Sequence, residues 1–220
     1  MKKELLRIGL LLGRALVMAS LVGLLLWLVQ RYDSLWLSVG VLLAVTLWAV
    51  LFSVRRRTHV WAVFAGTVVS SFLFSLPLVL AVRYLSAVSS AVALVPVGGL
   101  LLAATLTSTR VGLQAYGSER RAHVDMYEYL VGNGASHLAA LQPFVLSALH
   151  RGLSPLLRRM AILGFGGLPV ILCALLIGGL SPLGGTLFFG LLLVAAVAAS
   201  VVSLLIALWI YERRQDPSIN

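Results

Sequence analysis

Long apolar runs separated by short polar breaks organise the chain from end to end. The pattern predicts spanning helices over about 8–29, 35–54, 60–82, 87–109, 160–180 and 186–210, with a more polar stretch, 110–159, between the fourth and the fifth. A hydrocarbon core roughly 30 Å thick takes about 20 helical residues, and each run is long enough. A transmembrane barrel would show segments of about ten residues alternating apolar and polar positions, which do not occur here. The breaks are Gln30 to Ser34, Arg55 to His59, Arg83 to Ser86 and the uncharged Gly178 to Gly185. Ser34 is a suitable N-cap for a helix opening at Leu35. The predicted fold class is all-α: one polytopic membrane domain, residues 1–220, of about six helices.

Composition supports the same solvent. Hydrophobic residues make up 60% of the chain and charged ones only 11%, with a mean hydropathy of +1.03, which is outside the range of soluble domains. The net charge of +10 would suggest nucleic acid in a soluble protein. Here the cations flank apolar runs, so topology explains them and no nucleic-acid partner is expected. All Lys and Arg except Arg31 and Arg83 fall on one side of the predicted spans. By the positive-inside rule, both termini and the 110–159 loop face the cytoplasm of an inner-membrane protein. Tyr32, Trp36, Trp61, Tyr84 and Tyr211 near span ends suit interfacial belts. The first run continues past Arg14 to Val29, too long for a removable signal. The single cysteine, Cys173, rules out an internal disulfide and a Cys-based metal site within one chain.

The 110–159 stretch concentrates Glu119, Asp125, Glu128, three histidines and six arginines. From Glu119 to Val131, apolar Val124, Tyr127, Leu130 and Val131 recur at helical spacing, predicting an amphipathic helix that Gly132-Asn133-Gly134 breaks. Ser136 can cap a short helix from His137 to Gln142. Pro143 then marks a bend before a further turn or two over Phe144 to Leu149. Ser154-Pro155 reads as an N-cap and first helical position for the helix that re-enters the bilayer.

Glu128 followed six residues later by Gly134 matches the Glu-Ala-Ala-three-residues-Gly spacing of ABC-transporter permease loops. With Leu141-Gln-Pro143 and Gly164-Phe-Gly-Gly-Leu-Pro169, the stretch resembles ABC permeases of the FetB type, best over residues 105–213. The resemblance implies a coupling helix. Glu128 would anchor it, Gly132 and Gly134 would form the turn, and Ala135, Ser136 and His137 would complete the segment that docks on an ATPase subunit. It implies a separate nucleotide-binding subunit holding ATP and Mg, and a permease homodimer in a 2+2 complex within the bilayer. The cargo would be an ion or small molecule for export, a metal such as iron having been proposed for the family. Pro96 to Thr105 and Val170 to Leu176 are apolar where family members carry asparagines and a Thr-Gly-Gln cluster. A non-transporting or regulatory subunit is therefore the alternative. A secondary carrier would need an acid inside the membrane, and all seven Asp and Glu lie at loops or ends.

Candidate pathway residues are few. Arg14 lies inside the first run and can snorkel, pair or face cargo. Thr105, with Thr107, Ser108 and Thr109, and separately Thr67, Ser70 and Ser71, are hydroxyl clusters that can bond helix backbone, a neighbouring helix or cargo. Gly164, Gly166, Gly167 and Pro169 weaken the fifth run and can serve as hinge, pathway or close packing. His123, His137 and His150 lack metal-ligand spacing, so no metal site is expected. No Walker, nucleophile-elbow or zinc-protease motif occurs, so the chain is not expected to be an enzyme or to bind a cofactor itself.

Overall fold

The computed structural model describes residues 13, 20, 23–25, 27–32, 34–53, 57–85, 90–166 and 181–215, and no strand occurs among them. Among the described residues from Leu35 on, six helices follow in order: α1 (Leu35–Ser53), α2 (Arg57–Leu85), α3 (Ser90–Ala122), α4 (Val124–Gly132), α5 (His137–Gly166) and α6 (Pro182–Gln215). Among the described residues, three helices are long and apolar enough to cross a bilayer, within Val60–Ala81, Ala93–Ala122 and Pro182–Arg214. Helix α1 adds a shorter apolar stretch, Leu35–Leu51. This is the architecture of an all-helical polytopic membrane protein. Most of the first predicted span, including Arg14, and the part of the fifth beyond Gly166 lie outside the described residues.

Helix α6 is apolar on both faces. On α6, Leu183, Leu187, Leu191 and Val194 form an exposed row, while Phe188, Phe189, Leu192, Ala196 and Ala199 are buried. In water such a row would be an unmanageable apolar patch, whereas in a bilayer it is the lipid-facing side. Trp36, at 87% exposure, and the exposed Tyr32 and Trp61 suit the expected interfacial belts. Tyr211 does not: it turns inward and meets Tyr116 edge to face at 6.0 Å.

Helix α3 is the axis of the bundle, touching α1, α2, α5 and α6, and α2 also packs along α6. Two cores follow its length. One joins Leu42, Leu78, Leu94, Leu101, Phe188 and Leu192. The other joins Val63, Leu113, Tyr116, Phe144, Leu204 and Leu208 at the end of the bundle rich in arginine. Glycines set two close crossings. A Cβ on Gly66 of α2 would meet Ser203 O of α6 at 2.5 Å, and one on Gly152 of α5 would meet Ser108 O of α3 at 2.9 Å. Backbones can approach so closely only where no side chain intervenes.

Two expectations for 110–159 are corrected. Helix α3 does not end near residue 109 but runs to Ala122, making 33 residues. At about 1.5 Å per residue it is roughly 50 Å long, some 20 Å more than a hydrocarbon core requires. The separate short helices expected after Ser136 are one 30-residue helix, α5, with Pro143 and Pro155 inside it. A proline in a helix interior costs about 3 kcal/mol. Burial of Leu141, Phe144 and Ala148 offsets that cost, since each fully buried large apolar side chain contributes about 1.5–3 kcal/mol. The segment is thus a cantilevered extension of the bundle, not a loop hung between spans.

Candidate functional site at the tip of α4 and α5

At His123 the chain leaves the α3 axis, with φ −128° and ψ 43°, and begins α4, in which no residue is buried. Of the predicted apolar face, Tyr127 and Leu130 are half-buried, while Val124 and Val131 are exposed. The helix stops at a built turn. Gly134 has φ +85°; its N–H donates to Val131 O and that of Ala135 donates to Leu130 O, both at 3.0 Å. That pair of bonds around a left-handed glycine is a Schellman motif, and it satisfies carbonyls the helix end would otherwise leave open. Gly132 is the last helical residue and has open space where a Cβ would stand. Asn133 adds a side-chain bond from Nδ2 to Tyr129 O at 2.7 Å.

Ser136 opens α5 as expected, its Oγ accepting from the N–H of Ala139 at 3.3 Å. The turn therefore carries two reciprocal end signals within five residues, and the chain reverses there with little freedom. Around it Met126, Tyr129, Val131 and Leu138 are exposed, Leu138 at 80%. Glu128 is exposed beside them. Of the predicted docking set, Glu128, Gly132, Gly134, Ala135 and Ser136 lie on this tip. His137 lies there too, half-buried and bonded to Tyr127 of α4.

That contact starts a chain of polar links. His137 Nδ1 and Tyr127 Oη are hydrogen-bonded at 2.8 Å, and the rings meet edge to face at 5.9 Å. The Arg120 guanidinium lies 5.6 Å over the Tyr127 ring. Arg120 Nη1 donates to both Glu212 oxygens, at 2.8 and 2.9 Å. Tyr116, fully buried, donates its hydroxyl to Glu212 Oε1 at 2.7 Å. The tip is thus fastened through α3 to the last turns of α6. A second pair, Arg151 Nη2 to Glu119 Oε1 at 2.6 Å, ties α5 to α3, but with Arg151 56% exposed it contributes little.

Apart from Thr107, which is not buried, the hydroxyl clusters predicted on separate helices meet in one buried seam. Thr67 donates to Val63 O at 2.8 Å and Ser70 to Gly66 O at 2.7 Å. Thr105 donates to Leu102 O at 3.1 Å, so it can only accept from Ser71, 3.5 Å away. Thr109 and Ser203 share a 2.8 Å bond between α3 and α6. Ser108 Oγ, also buried, has no hydrogen-bond partner among the described residues. Thr105 therefore sits in helix-to-helix packing. Gly164 and Gly166 are helical, in the last turns of α5. Arg14, Gly167 and Pro169 lie outside the described residues. Among the described residues no three of His, Cys, Asp or Glu converge.

The Glu212 clasp was not among the residues singled out from the sequence. Its signal was faint: Tyr116 and Arg120 share a helix face at i and i+4, and Glu212 is the one acid beside Arg213 and Arg214. Nothing local says that the two segments meet.

Comparison with curated proteins and with solved structures found no match. Residues 5–215, nearly the whole chain, match the model of an uncharacterised protein family, UPF0014, in which the FetB-like ABC-type permeases fall. The stretch matched takes in the bundle, the extended α3 and the tip alike, and on that extent the chain belongs to the UPF0014 family.

Proposed function

We infer that this chain is the membrane subunit of an ABC transporter and that the α4–α5 tip is where a separate ATPase subunit docks. Family membership supports the reading. The observation that carries it is the pairing of an exposed apolar tip with a rigid fastening. Met126, Tyr129 and Leu138 face outward around a Schellman-closed turn, while Tyr127, Arg120 and Glu212 join the tip to α3 and α6. A docking element needs both properties, since a tip that moved independently would transmit nothing to the spans. The arginine-rich end is cytoplasmic by the positive-inside rule, which puts the tip on the side where ATP is available.

In this reading ATP and Mg belong to the partner, two copies of this chain pair with two ATPase subunits, and an ion or small molecule, a metal such as iron included, is exported. A second reading, a non-transporting subunit of an ABC complex, draws on the hydroxyl seam being closed where Gly66 abuts Ser203. The test is binding of a purified nucleotide-binding subunit to this protein in detergent, together with its ATP hydrolysis. Leu138→Asp and Gly134→Trp should each abolish binding while helicity is retained. Equal binding by both variants would overturn the docking assignment. Normal docking without efflux of any tested ion would favour the second reading.

A further inference from the structure

A groove of about 220 Å³ opens on the flank of the bundle between α3, α5 and α6. Its walls are almost wholly apolar, including Leu100, Ala103, Phe189 and Leu192, and its polar lining residues are Thr107 and Arg159. The space exceeds the engineered cavity of about 150 Å³ that takes up benzene, so it can hold a length of hydrocarbon chain. Thr107 donates its hydroxyl to Ala103 O at 2.8 Å, which leaves it able only to accept. Arg159 is then the one lining residue able to bind an anion.

The lining of the groove identifies the anion. Arg159 follows the exposed Arg158 on α5, and Thr107 lies one turn before the exposed Arg110 on α3, so each polar lining residue is within a turn of an exposed arginine. Leu100 lies about two turns before Thr107 on α3, and Phe189 lies in the first turns of α6, so the apolar lining extends away from those arginines. An exposed arginine lining an apolar groove suits a lipid with a negative headgroup and a chain lying along the apolar walls. A second copy of this chain would suit it poorly. Glu212 is paired to Arg120 and Glu119 to Arg151. Asp125 and Glu128 sit on the distant tip, so among the described residues no free acid lies at the level of Arg159 to neutralise it across an interface.

We propose that this groove is a binding site for an anionic phospholipid, one acyl chain lying along Leu100, Ala103 and Leu192 and the headgroup phosphate held by Arg159. The site is independent of the docking assignment. The experiment is native mass spectrometry of the purified full chain after exchange with equal amounts of dioleoylphosphatidylglycerol and dioleoylphosphatidylcholine. The wild type should retain phosphatidylglycerol preferentially. Arg159→Ala should reduce that preference about fivefold, the effect of one interfacial cation, whereas Arg158→Ala should leave most of it and Arg159→Lys should restore part. Ala103→Trp should reduce retention of both lipids by filling the groove, and glycerol 3-phosphate, a headgroup without chains, should not compete. Equal losses in Arg158→Ala and Arg159→Ala would reduce the effect to surface charge and overturn the proposal. So would lipid retention unchanged by Ala103→Trp, or a dimer that this substitution dissociates.

Discussion

Arg120 of α3 and Glu212 of α6, 92 residues apart in the chain, meet with both carboxylate oxygens within 2.9 Å of one guanidinium nitrogen. Glu212 is also the acceptor for the buried Tyr116 hydroxyl. Removing it therefore leaves a buried donor unmet and takes the carboxylate away from Arg120. Glu212→Ala should destabilise the protein by about 1–3 kcal/mol, and Glu212→Gln by less, because an amide oxygen can still accept from Tyr116. Thermal unfolding in detergent reads this directly. The double variant with Arg120→Ala should lose less than the sum of the single losses, and strict additivity would show that the contact carries no energy.

Gly134 and Gly132 both belong to the predicted turn, yet the structure separates them. Only Gly134 has a left-handed φ, +85°. Gly134→Ala should cost about 1–2 kcal/mol in local stability, the price of that conformation for an L-residue. Gly132→Ala, helical and facing open space, should instead be neutral or stabilise α4 by up to about 1 kcal/mol. Protease nicking within 130–136 should rise for the first and stay flat or fall for the second. The same outcome in both would mean that the turn is not held by its Schellman bonds.

Much of this architecture is legible in the sequence, because lipid imposes long apolar runs and water imposes polar breaks. The turn is also legible: Gly132-Asn133-Gly134 announces a helix break and Ser136 an N-cap by residue type alone. Proline is where local preference and structure part. Pro143 and Pro155 carry strong local preferences, but α5 passes through both because its buried face against α3 outweighs them. The length of α3 was hidden for a related reason. Arg110, Gln114 and Ser118 break its hydropathy without breaking its helix, since they stay exposed while Leu113, Ala115 and Tyr116 are buried. The Glu212 clasp depends on which helices become neighbours, and that is a tertiary fact without a local signature.

Tyr127→Phe separates fastening from docking. The variant keeps the ring beneath Arg120 and beside His137 but removes the hydroxyl bonded to Nδ1. If the tip docks the ATPase and passes its motion through Tyr127, binding of that subunit should persist while transport per ATP hydrolysed falls several-fold. Both quantities can be measured in one set of proteoliposomes. Transport fully coupled in Tyr127→Phe would show that the link between α4 and α5 is dispensable for transmission.

The crossing of α2 and α6 supplies the sharpest steric test. A methyl group at Gly66 would stand 2.5 Å from Ser203 O, against backbone that cannot rotate aside. Gly66→Val must therefore push the helices apart, stretching the neighbouring seam in which Ser203 bonds Thr109. Overpacking of this kind costs about 1–3 kcal/mol, and the midpoint of thermal unfolding should fall accordingly. Gly190→Ala on the outer face of α6, where a Cβ meets nothing within 4 Å, should leave it unchanged or slightly raised. The contrast matters more than either value. Any helix loses a flexible residue in both variants, so only the close approach of α2 to α6 predicts opposite signs. If Gly66→Val were as stable as Gly190→Ala, the two backbones would not be in contact, and the closed hydroxyl seam would have to be redrawn as an open one.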